Sequence, residues 1–136
     1  MRLLWEKQII SVIVGVIAGM IAMTIINFIS AAMYPLPDTL DLSDSVAMSA
    51  YIAQLPILAK LMVLLGWIVA AFVAGFVAAK LAPEGKSRQM AMIAGAILML
   101  GGIINAFMLP HPMWMLIIGL LQYIPLAHIG AKAAGK

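Results

Sequence analysis

Four long apolar segments dominate the sequence, and short polar stretches separate them. The segments cover residues 9–33, 56–79, 90–109 and 113–131. An α-helix needs about 17 to 25 residues to cross the hydrocarbon core of a bilayer, and each segment is close to that length. The pattern therefore predicts an all-α membrane protein in which four transmembrane helices form one bundle, within a single membrane domain over residues 1–136. The first apolar run is longer than the core of a signal peptide, so we expect it to be retained as a helix.

The longest polar stretch, residues 34–55, contains the pattern of a short amphipathic helix. Asp44 is a suitable N-cap residue, because its carboxylate can accept hydrogen bonds from the first free backbone N–H groups of a helix. Apolar residues follow at helical spacing, namely Met48, Tyr51, Ile52 and Leu55. We expect a helix over about residues 44–54 that lies on the membrane surface.

The composition agrees with a chain surrounded by lipid. Hydrophobic residues make up 65% of the chain and charged residues only 10%, whereas soluble domains carry about a quarter of charged residues. The chain contains no cysteine, which excludes disulfides and thiolate metal sites. No catalytic motif is present, so we expect neither an enzyme nor a bound cofactor.

The basic residues predict the orientation of the spans. Seven of the eight lie at one end of the predicted bundle: Arg2, Lys7, Lys80, Lys86, Arg88, Lys132 and Lys136. Loops rich in Lys and Arg stay in the cytoplasm, so both termini are expected there. Basic residues scattered in this way do not form a nucleic-acid-binding patch, and we expect no nucleic-acid partner.

The two halves of the chain resemble each other. Ile25-Ile26-Asn27 matches Ile103-Ile104-Asn105, and Leu64-Leu65-Gly66-Trp67-Ile68 matches Leu120-Leu121-Gln122-Tyr123-Ile124. One interpretation is a parallel repeat of a helical hairpin, with the outer loop inserted in the first half. Apolar sequences also match by chance, and both interpretations stay open.

Small residues recur at helical spacing on the first two spans. This candidate packing interface consists of Gly15, Gly19, Gly66, Ala70, Ala74 and Gly75. Such residues allow helix backbones to approach closely inside a membrane. They would serve packing within one four-helix bundle, or an interface with another membrane-protein chain.

Four polar residues within the predicted spans are candidates for a site: Asn27, Asn105, Gln122 and Lys60. Asn27 and Asn105 should lie at similar depth, where they would form an interhelical hydrogen bond or a polar site for a solute. Gln122 precedes Pro125 and would stabilise a kink in the fourth span. Lys60 would reach lipid phosphates or the acidic outer loop, or bind a substrate anion.

A methionine-rich segment surrounds the predicted turn between the last two spans. Met108, His111, Met113 and Met115 together form a soft ligand set that would suit Cu(I). Methionine is also a flexible apolar filler, and this interpretation is favoured. We therefore predict no metal site.

The motifs around the second span and the last turn resemble those of a set of small uncharacterised bacterial inner-membrane proteins with four spans. The similar residues are Gly66-Trp67, the Ala/Gly-rich stretch after them, Asn105, and Pro110-His111-Pro112-Met113-Trp114. This resemblance implies a multi-pass protein of the bacterial inner (plasma) membrane and implies no activity. We expect a non-catalytic accessory or structural subunit, embedded in the bilayer and bound to other membrane-protein chains. The alternative is a small homo-oligomeric transporter or channel for a small solute or ion, with Asn27, Asn105 and Gln122 lining a polar path.

Overall fold

The computed structural model describes residues 4–41, 43–108 and 112–136, and within them it contains α-helices and short connections without any strand. The helices are α1 (Leu4–Met33), α2 (Ser45–Gln54), α3 (Ile57–Leu81), α4 (Ser87–Met108), α5 (Met113–Leu121) and α6 (Tyr123–Ala133). The all-α fold predicted from the sequence is thereby confirmed.

Four of these elements are long and apolar enough to cross a membrane: α1, α3, α4, and α5 together with α6. This finding agrees with the four predicted spans and with a multi-pass membrane protein. The helix ends differ from the predicted segments, because hydropathy marks only the part of a helix that lies in hydrocarbon. Thus α1 begins at Leu4 rather than at residue 9, and its first turns include the polar residues Glu6, Lys7 and Gln8.

The spans form a bundle in which α3 is central. Helix α3 packs against α1 along one side and against α4 and α6 along the others, whereas α1 packs against neither α5 nor α6 within the described residues. Alanines of α3 form the core, and Ala70, Ala71, Ala74 and Ala78 are completely buried. Because these side chains are small, neighbouring helices approach the α3 backbone closely.

The fourth span is interrupted at Gln122, which separates α5 from α6. Pro125 has no backbone N–H and leaves the Leu121 carbonyl without its usual helical partner, so a break at this position is expected. The Gln122 side chain donates a hydrogen bond from Nε2 to the Gly119 carbonyl oxygen at 2.9 Å, not to the carbonyl of Leu121. The residue therefore bonds to its own helix one turn before the break.

Helix α2 stands apart from the bundle. The carboxylate of Asp44 accepts hydrogen bonds from the backbone N–H groups of Val46, at 3.0 Å, and of Ala47, at 3.2 Å. None of its residues is buried, and it packs against none of the other described helices. Its helical state thus depends on local interactions, foremost the Asp44 cap.

Candidate functional site

A groove of about 610 Å³ lies between α1 and α4, with α3 and α6 at its base. One face of α1 lines it, through Val16, Met20, Met23 and Asn27. The facing side of α4 contributes Leu98, Gly101, Gly102 and Asn105. In both helices these positions recur at the three- and four-residue spacing of a single helical face. The groove is therefore a space between one face of α1 and one face of α4.

Asn27 and Asn105 occupy the same level of this groove. A Cβ atom added to Gly19 would lie 3.2 Å from Leu98 Cδ1, so these two residues mark a common level on α1 and α4. Asn27 follows Gly19 by about 12 Å along the helix axis, and Asn105 follows Leu98 by about 10 Å, at 1.5 Å per residue. Because α1 and α4 run in the same direction, both carboxamides lie near the end of the groove that faces α2.

The two carboxamides line one groove without bonding to each other. Asn27 is exposed, Asn105 is half-buried, and within the described part of the chain neither side chain forms a hydrogen bond. The Asn27 Oδ1 atom lies beside Gly66, at 3.6 Å from the position of an added Cβ. The donors and acceptors of both amides thus remain available to a ligand.

Two aromatic side chains in the middle of the spans also line the groove, namely Trp67 on α3 and Tyr123 on α6. Tyr123 is 3% exposed, and its hydroxyl makes no hydrogen bond to another described residue. It lies next to Gly102, where an added Cβ would be 3.3 Å from Cε2 and 3.6 Å from the hydroxyl oxygen. Glycine at position 102 therefore makes room for the Tyr123 ring.

Sequence reasoning did not select Trp67 or Tyr123 as site residues, although a signal was present. The internal similarity aligns these two aromatic residues with each other. Both lie in the middle of a span, whereas Trp and Tyr in membrane proteins are enriched at the interfaces. An amphipathic aromatic residue at mid-membrane depth is a sign of a polar cavity there.

Gln122 and Lys60 lie outside the groove. Gln122 is 9% exposed, and its Oε1 atom is buried without a hydrogen-bond partner among the described residues. Lys60 is half-buried in the first turn of α3 and forms no ion pair with Asp38, Asp41 or Asp44. Of the four polar candidate residues, the structure therefore brings only Asn27 and Asn105 to the same groove.

The acidic loop forms local hydrogen bonds of its own. The Asp41 carboxylate accepts hydrogen bonds from the Ser43 hydroxyl, at 2.6 Å, and from the Ser43 backbone N–H, at 3.0 Å. These bonds favour the charged form and lower the pKa of Asp41. Asp41 and Asp44 thus form hydrogen bonds within the loop and at the start of α2.

Most of the small residues of the candidate packing interface lie inside the bundle. A Cβ atom on Gly15 would be 2.7 Å from the Ala74 carbonyl oxygen, and one on Gly19 would be 2.6 Å from that of Ala70. A Cβ on Gly75 would overlap the backbone of Ala127 on α6. Gly66 is in ordinary contact with α1, through Ile26 and Asn27. The chain therefore uses these residues to pack against itself.

The methionines around the predicted turn between the last two spans differ in how far they are exposed. Met115 is 1% exposed, whereas Met108 and Met113 are 74% and 70% exposed. His111, the fourth member of this candidate set, lies outside the described residues, as do the neighbouring positions 109 and 110 of the predicted turn.

Comparisons with protein-family models, with curated proteins and with solved structures found no match to this chain. The class of protein is therefore defined by its own structure. It is a multi-pass α-helical membrane protein whose bundle contains a mainly apolar groove with a few polar groups.

Proposed function

We propose that this chain is a non-catalytic integral membrane protein that acts as an accessory or structural subunit of a larger membrane complex. The observation that carries the proposal is that the groove between α1 and α4 does not extend along the whole bundle, as a transport path would. Gly15 and Gly19 pack directly on the backbone of α3, and the groove begins only near Val16. The groove therefore occupies only part of the bundle and does not continue along α1 toward Leu4. A cavity of this extent suits the binding of a ligand better than passage of a solute through a single chain.

The composition of the buried core supports this proposal. Among the described residues, the buried polar side chains besides the aromatic Trp67 and Tyr123 are Ser11 and Gln122. Ser11 donates a hydrogen bond to the Gln8 carbonyl oxygen at 2.7 Å, and Gln122 bonds to Gly119. Both serve their own helices. Such a core suits a rigid bundle that supports other chains in the bilayer.

We also propose that the protein lies in a bacterial inner membrane with both termini in the cytoplasm. Lys80, Lys86 and Arg88 at the connection between α3 and α4 share one end of the bundle with Lys132 in the last turn of α6. Asp38, Asp41 and Asp44 belong to the opposite end. Basic residues at one end favour the cytoplasmic side for that end.

A parallel repeat of two helical hairpins remains part of the proposal. In its support, the aligned residues Asn27 and Asn105 line the same groove, as do Trp67 and Tyr123. The packing of the two halves is not symmetric, because α3 contacts α4 whereas the corresponding pair α1 and α6 is not in contact. Any repeat has therefore diverged in how its hairpins pack.

The groove also favours a second candidate, a small transporter that works as a homo-oligomer. In that case Asn27 and Asn105 would line part of a solute path that several copies complete. Replacement of both residues by leucine would then abolish flux, whereas an accessory subunit with the same changes would stay assembled with its partner. Unchanged flux in an assay where the wild type transports a solute would rule out this candidate.

The subunit proposal is tested by purification of the tagged chain from native membranes in mild detergent, with particle mass and chain composition measured together. We expect other membrane-protein chains in a fixed ratio, and the same ratio when the tag is moved to the partner. A tagged four-span protein of similar abundance is the control for nonspecific recovery. A particle that contains only copies of this chain would overturn the proposal and favour the transporter.

A further inference from the structure

We propose that the groove between α1 and α4 binds one molecule of an uncharged amphiphilic lipid. Its head would lie at Asn27 and Asn105, and its apolar chain would extend along the groove toward Val16 and Leu98. This inference does not depend on whether the chain is a subunit or a transporter.

The size and lining of the groove are those of a small-molecule site. Its volume of about 610 Å³ lies within the range of about 300 to 1,000 Å³ that is typical of ligand pockets. Such pockets are mainly apolar and carry a few polar groups that orient the ligand. Here the deep part is lined by Val16, Met20 and Leu98, and the polar groups lie toward the other end.

Three polar groups without partners face this one space. They are the carboxamides of Asn27 and Asn105 and the hydroxyl of Tyr123, none of which bonds to another described residue. The Tyr123 side chain is 3% exposed and lines the groove, so a ligand in the groove can form a hydrogen bond with its hydroxyl. In hydrocarbon an unpaired polar group is costly, and a ligand that bonds to these groups removes that cost.

The chemistry of the lining specifies the head group. Every described residue that lines the groove is uncharged, so nothing there neutralises an ionised head. Each carboxamide offers both donors and an acceptor, and a tyrosine hydroxyl offers one donor and an acceptor. Hydroxyl and carbonyl groups match this set. The ligand is therefore an uncharged lipid with hydroxyl or carbonyl groups, and its apolar chain is either an acyl or an isoprenoid chain.

The length of the groove favours a lipid over a helix of another protein. From Val16 to Asn27 it extends for about 16 Å at 1.5 Å per residue. The hydrocarbon core is about 30 Å thick, so the groove spans about one leaflet. A transmembrane helix of a partner would need a groove through both leaflets.

Gly101 provides a way to fill the groove without disturbing the bundle. This glycine lines the groove, and a Cβ atom added to it would have no heavy atom within 4 Å. A leucine at position 101 would therefore project into the ligand space. Ala96, on the same helix, is exposed and does not line the groove, so Ala96→Leu is the matched control.

The test uses the full chain in phosphatidylcholine nanodiscs that contain graded amounts of dioleoylglycerol or of an isoprenoid quinone. Native mass spectrometry after release from the nanodiscs counts the lipid molecules retained per chain. We expect the wild type and Ala96→Leu to retain one molecule of one of these probes, which also identifies the type of chain. We expect Gly101→Leu to reduce retention at least tenfold.

A second set of variants tests the polar end of the groove. Tyr123→Phe removes only the hydroxyl, and Asn27→Leu with Asn105→Leu removes both carboxamides. Each should weaken retention severalfold or more, whereas Tyr51→Phe on α2 should not. The proposal is overturned if Gly101→Leu retains the probe as the wild type does. It is equally overturned if phosphatidylcholine is retained in preference to both probes, or if a second protein chain crosslinks to residues inside the groove.

Discussion

At single positions, glycine determines how closely the helices of this bundle approach each other. Gly15 and Gly19 let α1 lie on the backbone of α3, and Gly75 does the same between α3 and α6. Gly101 is different, because it faces the open groove. The same type of residue therefore serves close packing at some positions and leaves a space at another.

This contrast predicts opposite effects of the same substitution. Gly75→Ala should lower the free energy of unfolding by about 1 to 3 kcal/mol, because the new methyl group overlaps the Ala127 backbone. Gly101→Ala should raise it by up to about 1 kcal/mol, since alanine is the better helix former and meets no neighbour. Unfolding of the purified protein in mixed micelles with a denaturing detergent measures both. Equal effects of the two changes would contradict the packing described.

The groove residues could be predicted from the sequence only in part. Asn27 and Asn105 are recognisable because they are polar residues in apolar segments, and the constant rise of a helix sets their depth. Tyr123 and Trp67 could not be assigned to the groove in the same way. Trp67 lies in a stretch of α3 that is apolar on every side, and Gln122, the polar neighbour of Tyr123, does not line the groove. The sequence pattern therefore does not indicate which face of each helix lines the groove.

At the scale of helices, two kinds of element behave differently. Long apolar segments determine the spans, so the number of spans can be predicted from the sequence. The ends of the helices cannot, because a helix can continue into polar residues beyond the hydrocarbon. Pro125 predicts the irregularity at Gln122, but the sequence does not predict that the Gln122 side chain bonds to the Gly119 carbonyl oxygen. Helix α2 is a short element without tertiary packing, and an isolated helix of 10 residues is marginal in water.

Helix α2 should therefore be sensitive to its cap. Asp44→Ala removes the acceptor for the Val46 and Ala47 N–H groups and should destabilise α2 by about 0.5 to 2 kcal/mol. Amide hydrogen exchange should become faster in Ser45–Gln54 and stay unchanged in the spans. Asp38→Ala, in the same loop, serves as the control and should leave α2 as it is. Unchanged exchange in the Asp44 variant would show that α2 is held by something other than its cap.

At the scale of the whole molecule, close packing and an open groove coexist in one bundle. Helices α1, α3, α4 and α6 pack closely through glycine and alanine, while a groove stays open between one face of α1 and one face of α4. Hydropathy predicts how many helices cross the membrane. It does not predict the groove, which results from the sizes of side chains on several helices at once.

The central proposal about the whole molecule is that the chain crosses the membrane four times with its basic end in the cytoplasm. Because the chain contains no cysteine, single cysteines can be introduced one at a time, as Ser49→Cys on α2 and Glu84→Cys between α3 and α4. In intact cells a membrane-impermeant maleimide should label Ser49→Cys, and it should label Glu84→Cys only after the cells are permeabilised. Labelling of both sites from the same side would contradict the crossing by α3, and labelling of Glu84→Cys alone from outside would contradict the orientation.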